Sequence, residues 1–216
     1  MATYLDAVNN VLRRLREPTV TSVTDTDYSA MIGVFVNDAK RDIEDAYDWN
    51  ALSDTLTATT TEDIFNYVLV GSRTRFRTID VYNETKELEM HYKPTTWMNR
   101  QFIIVAQQKG SPTYYNFNGV DENGDTQVDV YPVPDSVYDL RFNLTIPQAD
   151  LVNDNDRILV PPHLVSMLAH SKAIAERGED SGVLSSEAYQ MYRLALADAI
   201  AIERNHYDEE MTWDAT

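Results

Sequence analysis

Apolar residues recur at helical spacing near both ends of this chain and at strand spacing between them. A helix buries one side chain in every three or four and a strand buries every second one, so each change of spacing marks a change of secondary structure. The order is two helices, a run of short strands and two more helices. This order predicts an α+β fold: a four-helix bundle built from the N- and C-terminal helix pairs, with an inserted β-rich module.

The first helix of the predicted bundle is short. Thr3 is placed to cap it, and Pro18 cannot continue it because proline lacks the backbone N–H that a helix interior needs. After Pro18 the chain becomes an extended strip that ends at Val23. The apolar stripe of this helix is predicted on Leu5, Val8, Leu12 and Leu15.

The other three helices have clear start or stop signals. The second starts within TDTDYS and runs to about Tyr47; the third has Pro162 in its first turn and stops at Gly178. The fourth runs from about Ser185 to Asn205. The stripe of the second helix is predicted on Met31, Phe35, Ala39, Ile43 and Tyr47. That of the fourth is predicted on Ala188, Met191, Tyr192, Ala195, Ala199 and Ile202.

The region between the helix pairs is rich in β-branched and aromatic residues separated by turn residues. DENGD at 121–125 places Asn-Gly between two such runs and predicts a hairpin. Residues 95–110 are predicted to include a short helix. Strands are predicted in FNYVLVG, RFRTIDVYN, ELEMHYKP, TYYNFNG, TQVDVYP and VYDLRFNLTI. The predicted domains are 1–50 with 159–207 for the discontinuous bundle, 51–158 for the β-rich module and 208–216 for a C-terminal tail.

The chain is strongly acidic, with 35 acidic and 18 basic side chains in 216 residues and a formal net charge of −17. The excess is spread along the chain without a basic stripe, which argues against a free-standing DNA-binding protein. No apolar run approaches the roughly 20 residues that cross a bilayer, and the N-terminus lacks the pattern of a signal peptide. We therefore expect a soluble protein that is assembled inside a cell and does not enter a membrane.

No combination of residues in the sequence specifies a catalytic or metal site. His163 and His170 are seven residues apart, whereas zinc-binding pairs on a helix are four apart. A calcium loop starting at Asp121 would need glycine and glutamate where the chain has Thr126 and Pro132. We expect no catalytic residue, no cofactor, no metal and no enzymatic activity. A cell-wall hydrolase that uses paired carboxylates is the alternative from another functional class.

Three arginines alternate along a predicted strand: Arg73, Arg75 and Arg77. Alternate residues of a strand project from one face, so the three side chains are expected to lie together. They either pair with acids on a following strand, such as Glu87 or Glu89, or form a patch that docks an acidic partner.

The stretch LDAVNNVLRRLREPTVTSV resembles the start of the tail tubular protein A family, the head-to-tail adaptors of short-tailed bacteriophages. The matching positions are Ala7–Asn9, Glu17 with Pro18, the strip from Val20 to Val23, and Asp48–Asn50. Relatives commonly have glycine before Glu-Pro, where this chain has Arg16, so helix 1 is expected to end with a different cap. Segments between about 110 and 180 are more loosely similar.

This resemblance implies a structural virion protein of the tail or neck, assembled in the host cytoplasm. Relatives form a homo-oligomeric ring, usually of twelve copies, between the portal protein and the tail nozzle protein, and genomic DNA passes through the lumen without specific binding. Tail fibres are further candidate partners. Another phage neck or tail completion protein is the alternative within this class.

A closed ring needs one face of a subunit to meet a different face of the next. The predicted inter-subunit residues are on helix 2 and the strip; packing in the core of the single chain is the competing explanation for them. The resemblance implies that the C-terminal tail docks on the portal, through aromatic and apolar side chains; a disordered terminus is the alternative. The inter-subunit candidates are Ile32, Val34, Val36, Val20 and Val23, and the tail candidates are Tyr207, Met211 and Trp213.

Overall fold

The computed structural model describes residues 2–73, 75–178 and 182–204. The fold is mixed α+β, as predicted, and the chain divides into two compact units. The described parts of Met1–Leu52 and Gln148–Thr216 form one of them, here called the helical unit. Ser53–Pro147 forms the other, the β unit.

The helical unit contains four of the five α-helices in the described part of the chain. The helices are α1 (Tyr4–Arg14), α2 (Asp27–Ala46), α3 (Thr95–Asn99), α4 (Pro162–Arg177) and α5 (Val183–Arg204). All but α3 belong to the helical unit. Helix α4 contacts α1, α2 and α5. It is therefore the central element of the unit.

Local signals in the sequence account for the ends of these helices. Thr3 caps α1 as predicted: its hydroxyl accepts from the Asp6 backbone N–H at 3.2 Å, and the Asp6 carboxylate accepts from the Thr3 N–H at 3.0 Å. Thr26 caps α2 in the same reciprocal way. Gly178 ends α4 with φ of +64°, a left-handed conformation that costs glycine little.

The predicted stripe of α2 is confirmed at Ala39 and Ile43, which are fully buried. In the first half of the helix Ile32 and Val36 are fully buried, whereas Met31 and Phe35 are only partly so. In this half the absence of a side chain at Gly33 lets α1 and the strip approach the α2 backbone closely. A Cβ on Gly33 would lie 2.8 Å from Val23 Cγ1.

The β unit contains two four-stranded sheets whose side chains share one core. The strands are β1 (Ser53–Thr59), β2 (Asn66–Leu69), β3 (Arg77–Asn83), β4 (Leu88–Glu89), β5 (His91–Tyr92), β6 (Tyr114–Val120), β7 (Thr126–Tyr131) and β8 (Asp139–Thr145). The orders are β1-β8-β3-β4 and β2-β7-β6-β5, and the described pairs are antiparallel except β5 with β6.

The predicted hairpin is confirmed: β6 and β7 pair antiparallel, and residues 121–125 connect them with Gly124 at φ of +85°. Residues 95–110, which were predicted to include a short helix, start as α3 and continue as one turn of π-helix, Arg100–Ile104. Strand β1 was not among the predicted strands. Its outward-facing threonines lack the apolar alternation on which the prediction depends, since only Ala58 of this strand is fully buried.

Candidate assembly surfaces

The strip between α1 and α2 is held in place by side chains that act as backbone partners. Asn9 Nδ2 donates to the Val20 carbonyl at 3.0 Å, and Asn9 Oδ1 accepts from the Val20 N–H at 2.8 Å. The Val23 N–H donates to Asp154 Oδ1 at 2.9 Å. These bonds satisfy backbone N–H and C=O groups of the extended segment, which has no neighbouring strand to pair with them.

Asp25 organises the turn at the end of the strip. One carboxylate oxygen accepts from the Thr21 N–H at 2.7 Å, the Thr21 hydroxyl at 2.8 Å and the Ser22 N–H at 2.8 Å. These hydrogen bonds stabilise the charged form and hold the pKa of Asp25 below its usual range. The strip is consequently a defined surface with its own internal scaffold.

A cleft of about 560 Å³ runs beside the strip, with a mainly apolar lining. Arg177 closes one side of it: its guanidinium donates to Glu17 at 2.6 Å and to the Tyr28 hydroxyl at 2.9 Å, and lies 5.1 Å from the centre of the Tyr28 ring. The lining residues are Leu12, Glu17, Pro18, Thr19, Val20, Thr21, Asp25, Thr26, Tyr28 and Arg177.

Three exposed arginines lie where α1 ends, next to Glu17 of the cleft: Arg13, Arg14 and Arg16. None of them forms an ion pair with a residue that the structure describes. Arg16 has φ of +61°, where a side chain costs about 1 kcal/mol relative to glycine. The changed end of helix 1 that the sequence predicts is therefore an arginine held in a left-handed conformation.

Helix α5 exposes a long apolar face. Of its 22 residues only Tyr192 is fully buried, and burial together with nearby Asp42 raises the pKa of that phenol to about 12. Met191, Leu194 and Ile202 are 64%, 70% and 64% exposed. Small residues such as Ala195 and Ala199 pack inward instead, so the predicted stripe was wrong for Met191 and Ile202.

We call the outer face of α5 the line formed by Glu187, Met191, Leu194, Asp198 and Ile202, all of which are exposed. Their spacings of three and four residues place them on one side of the helix. Two carboxylates interrupt the apolar side chains along this line. The sequence signal for this face is a second stripe of large residues opposite the alanines, which the search for a single core stripe missed.

The predicted inter-subunit residues divide by burial. The single chain already packs Ile32, Val36 and Val23 in its core, with 0%, 0% and 4% exposure, which is the competing explanation that the sequence left open. Val34 is 56% exposed, and Val20 is half-buried on the lining of the cleft. Val34 and Val20 are thus the two that remain accessible to a second chain.

The predicted row of arginines is not a strand face. Strand β3 begins at Arg77, and Arg73 and Arg75 precede it, with Arg73 at φ of +57°. The Arg73 guanidinium donates to the Pro147 carbonyl at 2.5 Å, and its backbone N–H donates to Asp125. The alternation was misleading because Gly71 and the turn at Arg73 break the strand there. All three arginines are nevertheless exposed and accessible to a partner.

The tail residues Tyr207, Met211 and Trp213 lie outside the described residues.

The described part of the chain contains no cluster of three or more His, Asp or Glu side chains with metal-binding geometry. Asp121 instead accepts hydrogen bonds from the backbone of its own hairpin loop, at Asn123 and Asp125. Burial and nearby Arg14 lower the pKa of His170, which favours a neutral imidazole.

A buried ion pair, which the sequence analysis missed, lies inside the helical unit. Lys40 Nζ is 3.2 Å from Glu44 Oε1, and both side chains are essentially inaccessible to solvent. Lys40 also donates to the Gln148 carbonyl at 2.8 Å, and the Gln148 N–H donates to Glu44 at 3.2 Å. Burial lowers the pKa of Lys40 and raises that of Glu44. The pair anchors the segment in which the chain re-enters this unit.

An α+β chain with a scaffolded strip, an apolar cleft and an uncovered helix face has the features of a structural assembly protein. A family model described as SU10 adaptor protein matches residues 2–213, and the chain belongs to that family. This finding confirms the resemblance to phage head-to-tail adaptors. The protein is therefore a structural phage adaptor of the virion neck. No curated protein matches the chain. Across the three described ranges, no helix has the length and apolar character needed to cross a bilayer.

Proposed function

We propose that this adaptor forms a ring between the portal protein and the tail nozzle protein, and that genomic DNA passes through its lumen. The observation that carries this proposal is the outer face of α5, where three large apolar side chains are more than half exposed. Exposed apolar patches of this kind mark protein–protein contact surfaces. In a ring each subunit would cover this face with its neighbour.

In this ring we assign different contacts to the two units. We assign subunit contacts to the helices, as a discontinuous four-helix bundle spanning residues 1–50 and 159–207. The β unit, Ser53–Pro147, which lies within the β-rich module predicted at 51–158, offers surface to nozzle or fibre proteins. Its exposed arginines Arg73, Arg75 and Arg77 provide a docking patch for an acidic partner.

The C-terminal tail, residues 208–216, together with Tyr207, is assigned to the portal. Trp213 and Met211 supply the large apolar side chains that anchor a peptide in a groove. Tryptophan is among the residues most enriched at the energetic centres of interfaces. In this arrangement twelve tails would reach from the ring to the portal.

The acidity of the chain suits a passage for DNA. A net charge of −17 per subunit repels phosphates within a Debye length of about 8 Å, so that DNA slides without being gripped. The same charge keeps an unassembled subunit soluble. Both effects agree with a subunit that is made separately and then added to a preformed portal.

The test is a pull-down with the cognate portal protein. The wild-type chain is expected to bind, and a chain lacking residues 208–216 is expected to stay folded but lose binding. Trp213→Ala should weaken binding while the neighbouring Thr212→Ala should not. Portal binding that is unchanged by the truncation would disprove the role of the tail. Absence of binding by the wild-type chain would disprove the adaptor role itself, and hydrolysis of purified peptidoglycan would favour the enzyme instead.

A further inference from the structure

Two different surfaces of the helical unit have complementary chemistry. The outer face of α5 has Met191 and Leu194 at its centre, with Glu187 and Asp198 on either side, and neither acid forms an ion pair with a described residue. An acidic face with an apolar centre would be repelled by a second copy of itself. Its partner surface should be cationic and should offer an apolar recess.

The end of α1 and the cleft beside it match this description. Arg13, Arg14 and Arg16 place three exposed cations within four consecutive residues of a chain with only 18 basic side chains. They adjoin a cleft of about 560 Å³ whose lining includes Pro18 and Val20. A cleft of this size has room for the side chains of a methionine and a leucine.

Arg16 closes the C-terminal end of α1, and its left-handed conformation has a local cause. At a φ of +61° the Arg16 N–H donates to the Arg13 carbonyl at 3.1 Å and the Glu17 N–H donates to the Leu12 carbonyl at 2.9 Å, which is the pattern of a Schellman cap. Glycine adopts this conformation without strain and arginine does not. The cap therefore holds a cationic side chain next to the cleft at a small cost in strain.

We propose that the outer face of α5 in one copy of the chain docks on the basic end of α1 and the adjoining cleft in the next copy. Met191 and Leu194 enter the cleft, and the arginines pair with a carboxylate of α5. The two faces differ, so the contact is head-to-tail and can be repeated around a closed ring. This inference rests on the proposed ring function, and it specifies which surfaces form the ring.

The two acids are not equivalent in this contact. Glu187 and Asp198 are eleven positions apart, which is about 16 Å along a helix axis. The three arginines lie within one helical turn, so one acid meets them and the other lies at the edge of the contact. The decisive variants therefore change both acids together.

The chain contains no cysteine, so introduced thiols report contacts without background. Chains carrying Met191→Cys are mixed with chains carrying Thr19→Cys, an exposed residue of the cleft lining, on the purified portal and then oxidised. A cross-linked dimer is expected at a level at least about tenfold above that from Ser186→Cys with Thr19→Cys. Ser186 is exposed on a different side of α5 and serves as the matched control.

Charge reversal gives an independent readout. Arg13→Glu with Arg16→Glu, and Glu187→Arg with Asp198→Arg, should each reduce assembly on the portal more than about tenfold, and combining all four changes should restore it. Arg16→Gly should raise the thermal midpoint of the isolated chain yet weaken assembly, because it removes strain and charge together. A variant that simply folded less well would instead lower both the thermal midpoint and the assembly on the portal.

The outcomes separate this inference from the proposed function. If the wild-type chain assembles on the portal but gives no Met191→Cys to Thr19→Cys cross-link, the inference is wrong and the adaptor role stands. Cross-linking of one Met191→Cys chain to another, or to the portal, in place of the Thr19→Cys chain would also overturn it. If the wild-type chain does not assemble on the portal at all, both fail.

Discussion

Asn9 and Val20 are joined by two hydrogen bonds: the Asn9 amide donates to the Val20 carbonyl at 3.0 Å and accepts from its N–H at 2.8 Å. The side chain of Asn9, on α1, therefore bonds the backbone of the strip in the way that a neighbouring strand would. The strip lines the cleft, so this pair also maintains the shape of a surface on which the proposed subunit contact depends.

Asn9→Ala removes both bonds and leaves two polar backbone groups of Val20 without their partner. We expect a loss of about 2 kcal/mol in the free energy of unfolding, and faster hydrogen exchange at the Val20 amide. Urea unfolding and exchange measured by NMR check this. Asn10→Ala, one position further along α1, is the matched control and should change neither measurement by much; equal effects of the two variants would contradict the role assigned to Asn9.

Replacing Lys40 tests the buried ion pair. Lys40→Met leaves the Glu44 carboxylate buried without its cation, and we expect a loss of about 3–5 kcal/mol at neutral pH. The double variant Lys40→Met with Glu44→Met removes both charges and should be more stable than the single one. Denaturant unfolding of the three proteins measures this, and a double variant less stable than Lys40→Met would refute it.

The same variant predicts a pH dependence with a definite sign. Burial raises the pKa of Glu44, so the folded state takes up a proton before the unfolded state as the pH falls. The deficit of Lys40→Met relative to wild type should therefore shrink as the pH is lowered from 7 to about 5, above the unfolded pKa of a glutamate. A deficit that stays constant or grows over this range would show that Glu44 does not titrate in this way.

Gly33 is required by space and not by backbone conformation. A Cβ at this position would clash with the Tyr4 hydroxyl and lie 2.8 Å from Val23 Cγ1. Gly33→Ala should therefore cost about 1–3 kcal/mol despite the better helix propensity of alanine. Adding Tyr4→Phe should recover part of the loss by removing the nearest atom. Thermal unfolding of the two variants gives the comparison, and a stabilised Gly33→Ala would mean that α1 and α2 are further apart than described.

Asp25 should contribute to the acid side of the stability profile. Its pKa is lowered by hydrogen bonds from Thr21 and Ser22, so its contribution is fully present above roughly pH 4 and is lost as the pH falls through the lowered pKa. Asp25→Asn should flatten this limb of the profile, and Asp27→Asn, an exposed neighbour, is the control. Acid unfolding curves that coincide for wild type and Asp25→Asn would exclude the effect.

The sequence predicted the order of elements because each depends on local rules. Caps such as Thr3, the glycine stop at Gly178 and the Asn-Gly hairpin all act within a few residues. Strand β1 was not predicted, because its threonines do not alternate with apolar residues. The π-helical turn after Asn99 likewise has no signal that periodicity detects.

The surfaces proved harder to predict than the elements. On α2 the candidate subunit contacts Ile32 and Val36 are packed in the core of the single chain, beside the close approach of α1 and the strip at Gly33. On α5 the sequence offers two stripes, and only packing reveals that the alanines face inward and Met191 faces outward. Long-range pairs such as Val23 with Asp154 cannot be read from sequence, because the two residues are 131 positions apart in the chain.

The mass of the complex between this chain and its purified portal tests the adaptor account most directly. Native mass spectrometry of the mixture should give a portal carrying a closed ring of adaptor chains, twelve by the resemblance on which the account is based. A complex with one or two chains per portal, or a chain that stays monomeric and unbound beside an intact portal, would contradict it.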